Sequence, residues 1–348
     1  MRLLLFLATL TATSLASSVQ AQDVHVKVDP HGPGSIASTT DYTTIQQALD
    51  HHPFAPAGYR VIISIVPGVY HERIIVTQNH NNITLLGLGK SPEDVVITNS
   101  LNAKTAGGTF FTETAEINGT GFEADNLTFE NTAGNTGQAV AAAVRGDRAV
   151  FKHCRFLGHQ DTLFADYGRQ YYVDSYIEGG VDFIFGNAAA VFDHVELHAN
   201  GPGYLTAQSR TDPNQPTGYV ITHSTVTTSL EATLPPPAGA PGVASTAAAH
   251  NMTALGRPWR PYARVVFMHT VLPAQLNPAG YTVWKRDDPV PPLAWYAEFD
   301  NSGPGWQPTE RPSWEHMLTA KEASAFEPQN FLRGRDQWNP IAAAAKLP

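Results

Sequence analysis

One short motif returns along this chain and limits what the chain can fold into. Asn126-Leu127-Thr128-Phe129 is followed by His153-Cys154-Arg155-Phe156, Asp174-Ser175-Tyr176-Ile177 and His194-Val195-Glu196-Leu197. His223-Ser224-Thr225-Val226 and His269-Thr270-Val271-Leu272 continue the series, and Asn82-Ile83-Thr84-Leu85 reads as an earlier copy. Two apolar residues stand just before each of the last five copies: Val150-Phe151, Tyr171-Tyr172, Val191-Phe192, Val220-Ile221 and Val266-Phe267. The starts at 126, 153, 174, 194 and 223 are 27, 21, 20 and 29 residues apart. A β-rich unit of this length cannot bury its own apolar face, so units must stack and share a core. Few helix-period segments lie between the copies, which disfavours leucine-rich repeats. A β-sandwich would explain short strands but not a recurring polar-x-x-apolar register. The pattern predicts an all-β solenoid, a parallel β-helix, and the 28 glycines and 26 prolines suit its many turns.

The flanks fit one domain over 22–348. Residues 1–21 carry a basic start, a short apolar stretch and Val19-Gln20-Ala21, the pattern of a secretory signal peptide. The apolar run is short for a membrane span. Val24–Val28 and Val61–Val66 read as strands. A helix between them is expected to start at a capping box of Thr43 and Gln46 and to stop at Pro53. Residues 229–250, rich in Pro and Ala, read as a long exposed loop. Thr319 to Phe326 reads as a short helix that could cap or flank the solenoid.

Several chemistries are excluded. The single cysteine rules out an intrachain disulfide and Cys-based metal centres. The net charge of −9 and the lack of a basic run leave no electrostatic footprint for nucleic acid or anionic membranes. There is no G-x-S-x-G elbow and no H-E-x-x-H pair among the 14 histidines, and in the Gly89-Lys90-Ser91 segment Thr84 stands where a phosphate loop needs its first glycine. No metal site is predicted, and the histidines in the repeats read as structural.

Four segments carry polar groups in a suggestive register: Gly137-Gln138-Ala139-Val140-Ala141, His159-Gln160-Asp161-Thr162-Leu163-Phe164, Gly180-Val181-Asp182-Phe183-Ile184-Phe185-Gly186-Asn187 and Leu255-Gly256-Arg257-Pro258-Trp259. Asp161 and Asp182 are 21 residues apart, as are the repeats that precede them. They should therefore face one groove from adjacent coils, about 4.8 Å apart along the stack. Gln138 should lie on the coil before Gln160. Two stacked carboxylates repel, so one is expected to hold a proton at neutral pH. Asp182 stands between apolar neighbours and needs a partner, for which Arg257 is the candidate. The two glutamines could donate to a developing oxyanion. A purely structural ladder is the alternative.

These segments resemble the signature blocks of the pectin methylesterases (pectinesterases). Asp41-Tyr42-Thr43-Thr44-Ile45-Gln46, Gly68-Val69-Tyr70-His71-Glu72, the stretch from Thr206 to Gln215 and that from Tyr296 to Gly305 resemble further blocks of that family. The resemblance implies a right-handed parallel β-helix and a metal-independent esterase that needs no cofactor. Its implied substrate is methyl-esterified homogalacturonan. By motif position, Asp182 would be the nucleophile and Asp161 the general acid and then base. Gln160 and Gln138 would stabilise the oxyanion, and Arg257 would hold Asp182. Trp259, Thr109, Phe183 and Trp284 would contact the sugar, with a core position for Trp284 as the alternative. The protein is expected to be a secreted monomer, periplasmic if the source is Gram-negative. Two departures from plant members stand out: the 229–250 loop is longer, and Cys154, expected in the core, has no partner for a bridge. A lyase or polygalacturonase on the same scaffold would shorten pectin, whereas an esterase would not. A catalytically dead binding protein would have no need of all five polar positions.

Overall fold

The polar residue that opens each repeat adopts the left-handed backbone region. In a computed structural model, which describes residues 22–32, 41–55, 58–230, 252–285, 288–289 and 293–347, φ is 55° at Asn82, 59° at Asn126, 48° at His153 and 48° at Asp174. It is 54° at His194, 48° at His223 and 51° at His269, and Asp300 continues the series at 47°. Asn, Asp and His tolerate this region better than other residues with a side chain. The repeat is therefore a corner. In the copies from Asn126 onward the residues before it lie on a strand of the longest sheet, the residues after it start the next segment, and the corner turns the chain out of that sheet. The copy read at Asn82 is a correction, because Asn82 precedes the strand Ile83–Gly87 of that same sheet and Gly87, not Asn82, is level with Asn126.

Among the described residues three parallel sheets result. The longest has twelve strands, running from Asp41–Tyr42 and Val24–Val28 through Ala149–Lys152, Arg169–Val173 and Ala189–Asp193 to Glu315–Met317. A second sheet of seven holds the strands that follow the corners from Asn126 to His223, among them Arg155–Leu157, Tyr176–Gly179 and Glu196–Ala199. A third sheet of seven runs from Ile74–Val76 to Thr253–Gly256. One strand of each sheet makes a coil, and the coils wind as a right-handed parallel β-helix, the usual hand of parallel crossovers. The expected strands at Val24–Val28 and 61–66 are present, the latter ending at Ile65.

Inside, equivalent side chains stack from coil to coil. The rings of Phe151, Tyr172 and Phe192 lie nearly parallel, with centroids 4.9 Å and 4.8 Å apart. Cys154 lies in this core, as expected, with Sγ 3.3 Å from the Lys152 carbonyl oxygen. Burial pushes its pKa up, so it stays a thiol.

The helix Ile45–His51 covers the first coils, but its cap differs from the expected one. Thr44, not Thr43, accepts from the Gln47 amide. Glu72 takes the Ile45 and Gln46 amides at 3.0 Å each. The Gln46 side chain is committed elsewhere, accepting from the Ile75 amide at 2.6 Å. At the other end Thr319 caps a short helix, Ala320–Ala323, as expected. Leu332, Ala344 and Leu347 then cover the outer face of the twelve-stranded sheet at Val191, Val220 and Val266. The proposed leader 1–21 and the loop from 231 onward lie outside the described residues.

Candidate active site

The third sheet carries a cleft on its outer face. Leu163 pairs with Ile184 and Phe164 with Phe185, the 21-residue shift read from the sequence. Just before these strands, isolated bridges pair Gln138 with Gln160 and Gln160 with Val181. Asp161 is thus the coil neighbour of Asp182, and its amide donates to the Val181 carbonyl at 3.1 Å. Gln138 precedes Gln160 by 22 residues, whereas Ala142 pairs with Leu163 at 21. A bulge absorbs the extra residue: the amides of Ala141 and Ala142 both donate to the Thr162 carbonyl, at 2.8 Å and 3.3 Å. Asp161 and Asp182 both lie in the left-handed region, at φ 64° and 52°.

Arg257 reaches Asp182 from two strands away. It follows the strand Thr253–Gly256, in which Gly256 pairs with Thr206. Its Nε donates to Asp182 Oδ1 at 2.9 Å and its Nη2 to Oδ2 at 2.6 Å, a two-point pair. The guanidinium lies against the Tyr204 ring at 4.0 Å and the Trp284 ring at 4.2 Å, and Nη1 donates to the Trp284 carbonyl at 3.0 Å.

The two carboxyls have different electrostatics. Burial, reinforced by the charge of Asp182, pushes Asp161 up to about 8, and Arg257 only partly opposes this. Burial also raises Asp182, but its direct bonds to Arg257 pull it back. At neutral pH this favours a proton on Asp161 and a charge on Asp182. The pair titrates as a coupled unit.

The cleft encloses about 350 Å³. Asp161, Asp182, Gln138, Gln160, Arg257, Thr109, Trp259 and Trp284 all line it. Among the described residues neither Gln138 nor Gln160 spends its side-chain amide on a protein acceptor, so both can donate into the cleft. Trp284 lines the cleft and is only partly buried.

Phe183 is a correction. It is fully buried and belongs to the central core, so it cannot touch a substrate. The left-handed turn at Asp182 interrupts strand alternation, and Phe183 and Ile184 both point inward. Phe185 points outward instead and lines the cleft. Phe164 stacks on it at 4.6 Å, Phe110 lies 4.9 Å from Phe164, and Trp259 lies 6.0 Å from Phe185. This aromatic run, with Tyr204 under Arg257, went unread in the sequence. Phe164 and Phe185 share the offset of the two aspartates, so the same register argument could have found them. Phe110 has no such signal.

Comparisons with known proteins give the family. The pectinesterase family model matches residues 35–335. The chain belongs to the pectinesterase family. It is 36% identical to Pectinesterase 31 of Arabidopsis thaliana over 88% of this chain and 92% of that protein. It is 40% identical to Pectinesterase 1 of Citrus sinensis over 80% of this chain, and it spans only 47% of that longer protein. The solved pectin methylesterase from carrot matches with a TM-score of 0.79 at 34% identity, covering 92% of this chain and 96% of that one. The enzyme class of the family is carboxylic ester hydrolase.

Proposed function

We propose that this protein is a secreted pectin methylesterase that hydrolyses the C6 methyl esters of homogalacturonan to carboxylate and methanol. The reading is carried by one observation: two adjacent cleft carboxyls, of which Asp182 is locked by Arg257 and Asp161 is pushed up to about 8. Paired groups with separated pKa values divide into nucleophile and acid.

An Asp182 oxygen attacks the ester carbonyl carbon, and the Gln138 and Gln160 amides donate to the resulting oxyanion. Collapse breaks the bond to the methoxy oxygen, which takes the Asp161 proton and leaves as methanol. Asp161, now a carboxylate, accepts a proton from water as the water attacks the acyl-enzyme. The galacturonic acid departs and gives its proton to solvent, Asp182 is restored as a carboxylate and Asp161 is again protonated. Arg257 holds Asp182 in line throughout. Trp259, Trp284 and Thr109 hold the sugar, and the aromatic run from Phe110 to Phe185 gives the polymer an apolar platform. No step calls for a metal or cofactor. The enzyme works as a monomer, with neither nucleic acid nor a membrane as partner. No helix among the described residues is long and apolar enough to cross a membrane.

Methanol release from highly methylated pectin, with chain length followed in the same tube, tests the proposal. Methanol at constant chain length is expected. Depolymerisation would point to a lyase or galacturonase, and no methanol would mean that this site serves another ester.

A further inference from the structure

The corner residues also build a cluster that the esterase reaction does not use. His194, His223 and His269 occupy the same corner on successive coils. Their rings stack with centroids 5.2 Å and 5.0 Å apart. Asp193 precedes His194 on the strand Ala189–Asp193 and pairs with Thr222, the residue before His223. Its Oδ1 lies 2.8 Å from His194 Nδ1 and 3.4 Å from His223 Nδ1. Its Oδ2 accepts from the Tyr171 hydroxyl at 2.7 Å.

We propose that Asp193, His194 and His223 form a surface site for a divalent late transition-metal cation that ties two successive coils together. Two imidazoles and one carboxylate are a donor set suited to zinc, nickel or copper. The three ligand atoms lie within 4.8 Å of one another. A tetrahedral ion with bonds near 2.1 Å needs ligand atoms about 3.4 Å apart. The contact between Asp193 and His223 already has that length, and the one between Asp193 and His194 is shorter and must open. The imidazole–imidazole edge closes by ring rotation, which is open to side chains 59% and 42% exposed. Asp193 is the fixed member, its side chain 10% exposed and oriented by Tyr171, as outer-shell partners commonly orient metal ligands. The left-handed corners at φ 54° and 48° fix where both imidazoles leave the backbone. Solvent completes the shell. The corner joins the twelve-stranded and second sheets, whereas the cleft lies on the third, so this site is separate from the esterase site.

The test is calorimetric titration of untagged full-length protein with ZnCl₂, paired with thermal unfolding with and without the metal. His194→Asn and His223→Asn are suitable variants, because Asn already fills this corner at position 126 and tolerates the left-handed region. We expect one saturable site, a rise in Tm with zinc, and at least a tenfold weaker Kd in each variant. His269→Asn, one coil further on, should keep the wild-type Kd. The proposal fails if wild-type protein shows no saturable binding. It fails equally if the His194→Asn/His223→Asn double variant binds zinc as tightly as wild type, which would mean an adventitious ion only.

Discussion

Asp161 lies one coil before Asp182, joined to it through a 3.1 Å bond from its own amide to the Val181 carbonyl, yet only Asp182 is bonded to Arg257. The two carboxyls share a wall and not a partner. This asymmetry separates the effects of removing each. Asp182→Ala should reduce turnover to background and also lower Tm, because it leaves a half-buried guanidinium unpaired. Asp161→Ala should lower kcat by about 10²–10⁴, the usual worth of a general acid, and should not lower Tm through an orphaned charge. Methanol release and thermal unfolding on both variants check this. Wild-type turnover in either variant would sink the assigned roles.

The raised pKa of Asp161 sets the alkaline limit of the enzyme. The acid step needs its proton, so kcat/KM should fall as pH rises through about 8. The acid limb should follow protonation of Asp182 in the coupled pair, giving a bell-shaped profile. Asp161→Asn removes the group responsible for the alkaline limb. A pH profile of initial rates that stays flat from pH 7 to 10 in the wild-type enzyme would contradict this reading.

The same shift predicts that Asp161 destabilises the native state. Its folded pKa of about 8 lies above the ordinary aspartate value of 3.8. Between these values the folded chain binds more protons than the unfolded one, so the contribution of Asp161 to stability falls as pH rises across that window and is level above it. Asp161→Asn cannot ionise, keeps the shape and suits the left-handed backbone. It should be more stable than wild type by up to about 4 kcal/mol at pH 7 and nearly equal to it near pH 4. Denaturant melts at the two pH values measure this directly.

The coil, its spacing and the polar centre of the site could be read from the sequence because stacking turns sequence offset into position. A shift of 21 residues places Asp161 beside Asp182, Phe164 beside Phe185 and Leu163 beside Ile184. Arg257 was accessible by a different route, as the cation that a carboxylate among apolar residues requires. What stayed hidden depends on backbone conformation. The left-handed turn at Asp182 changes which residues point outward, so Phe185 lines the cleft where the resemblance implies Phe183. Phe110 enters from outside the strand register, within the short turn Thr109–Phe111, so no periodicity announces it. The cap at Thr44 depends on Glu72, which is distant in sequence.

The inward and outward phenylalanines make a paired test. Phe183→Ala removes a fully buried ring and should cost about 3–5 kcal/mol of stability. Its effect on KM for methylated pectin should be small at temperatures where the variant is folded. Phe185→Ala removes part of the platform between Phe164 and Trp259 and should raise KM severalfold. Unfolding curves and Michaelis kinetics on the two variants distinguish the roles. Equal KM increases in both would argue against the platform.

Gly256 is the last point of control over Arg257. A Cβ at this position would stand 2.1 Å from Thr206 Oγ1 and 2.8 Å from the Thr206 carbonyl oxygen. The Thr206 hydroxyl cannot simply swing away, because it donates to the Leu255 carbonyl at 2.8 Å. Gly256→Ala must therefore push the strand Thr253–Gly256 off its neighbour, and Arg257 moves with it. Displacement by a fraction of an ångström breaks a two-point pair whose bonds are 2.9 Å and 2.6 Å. The expected result is a loss of kcat of at least tenfold together with a lower Tm. Adding Thr206→Ser keeps the hydroxyl and should not restore activity. Thr206→Gly/Gly256→Ala removes the side-chain clash and should recover part of it, although the carbonyl contact remains. If the double variant is no more active than Gly256→Ala alone, the Thr206 side chain is not what makes glycine necessary here.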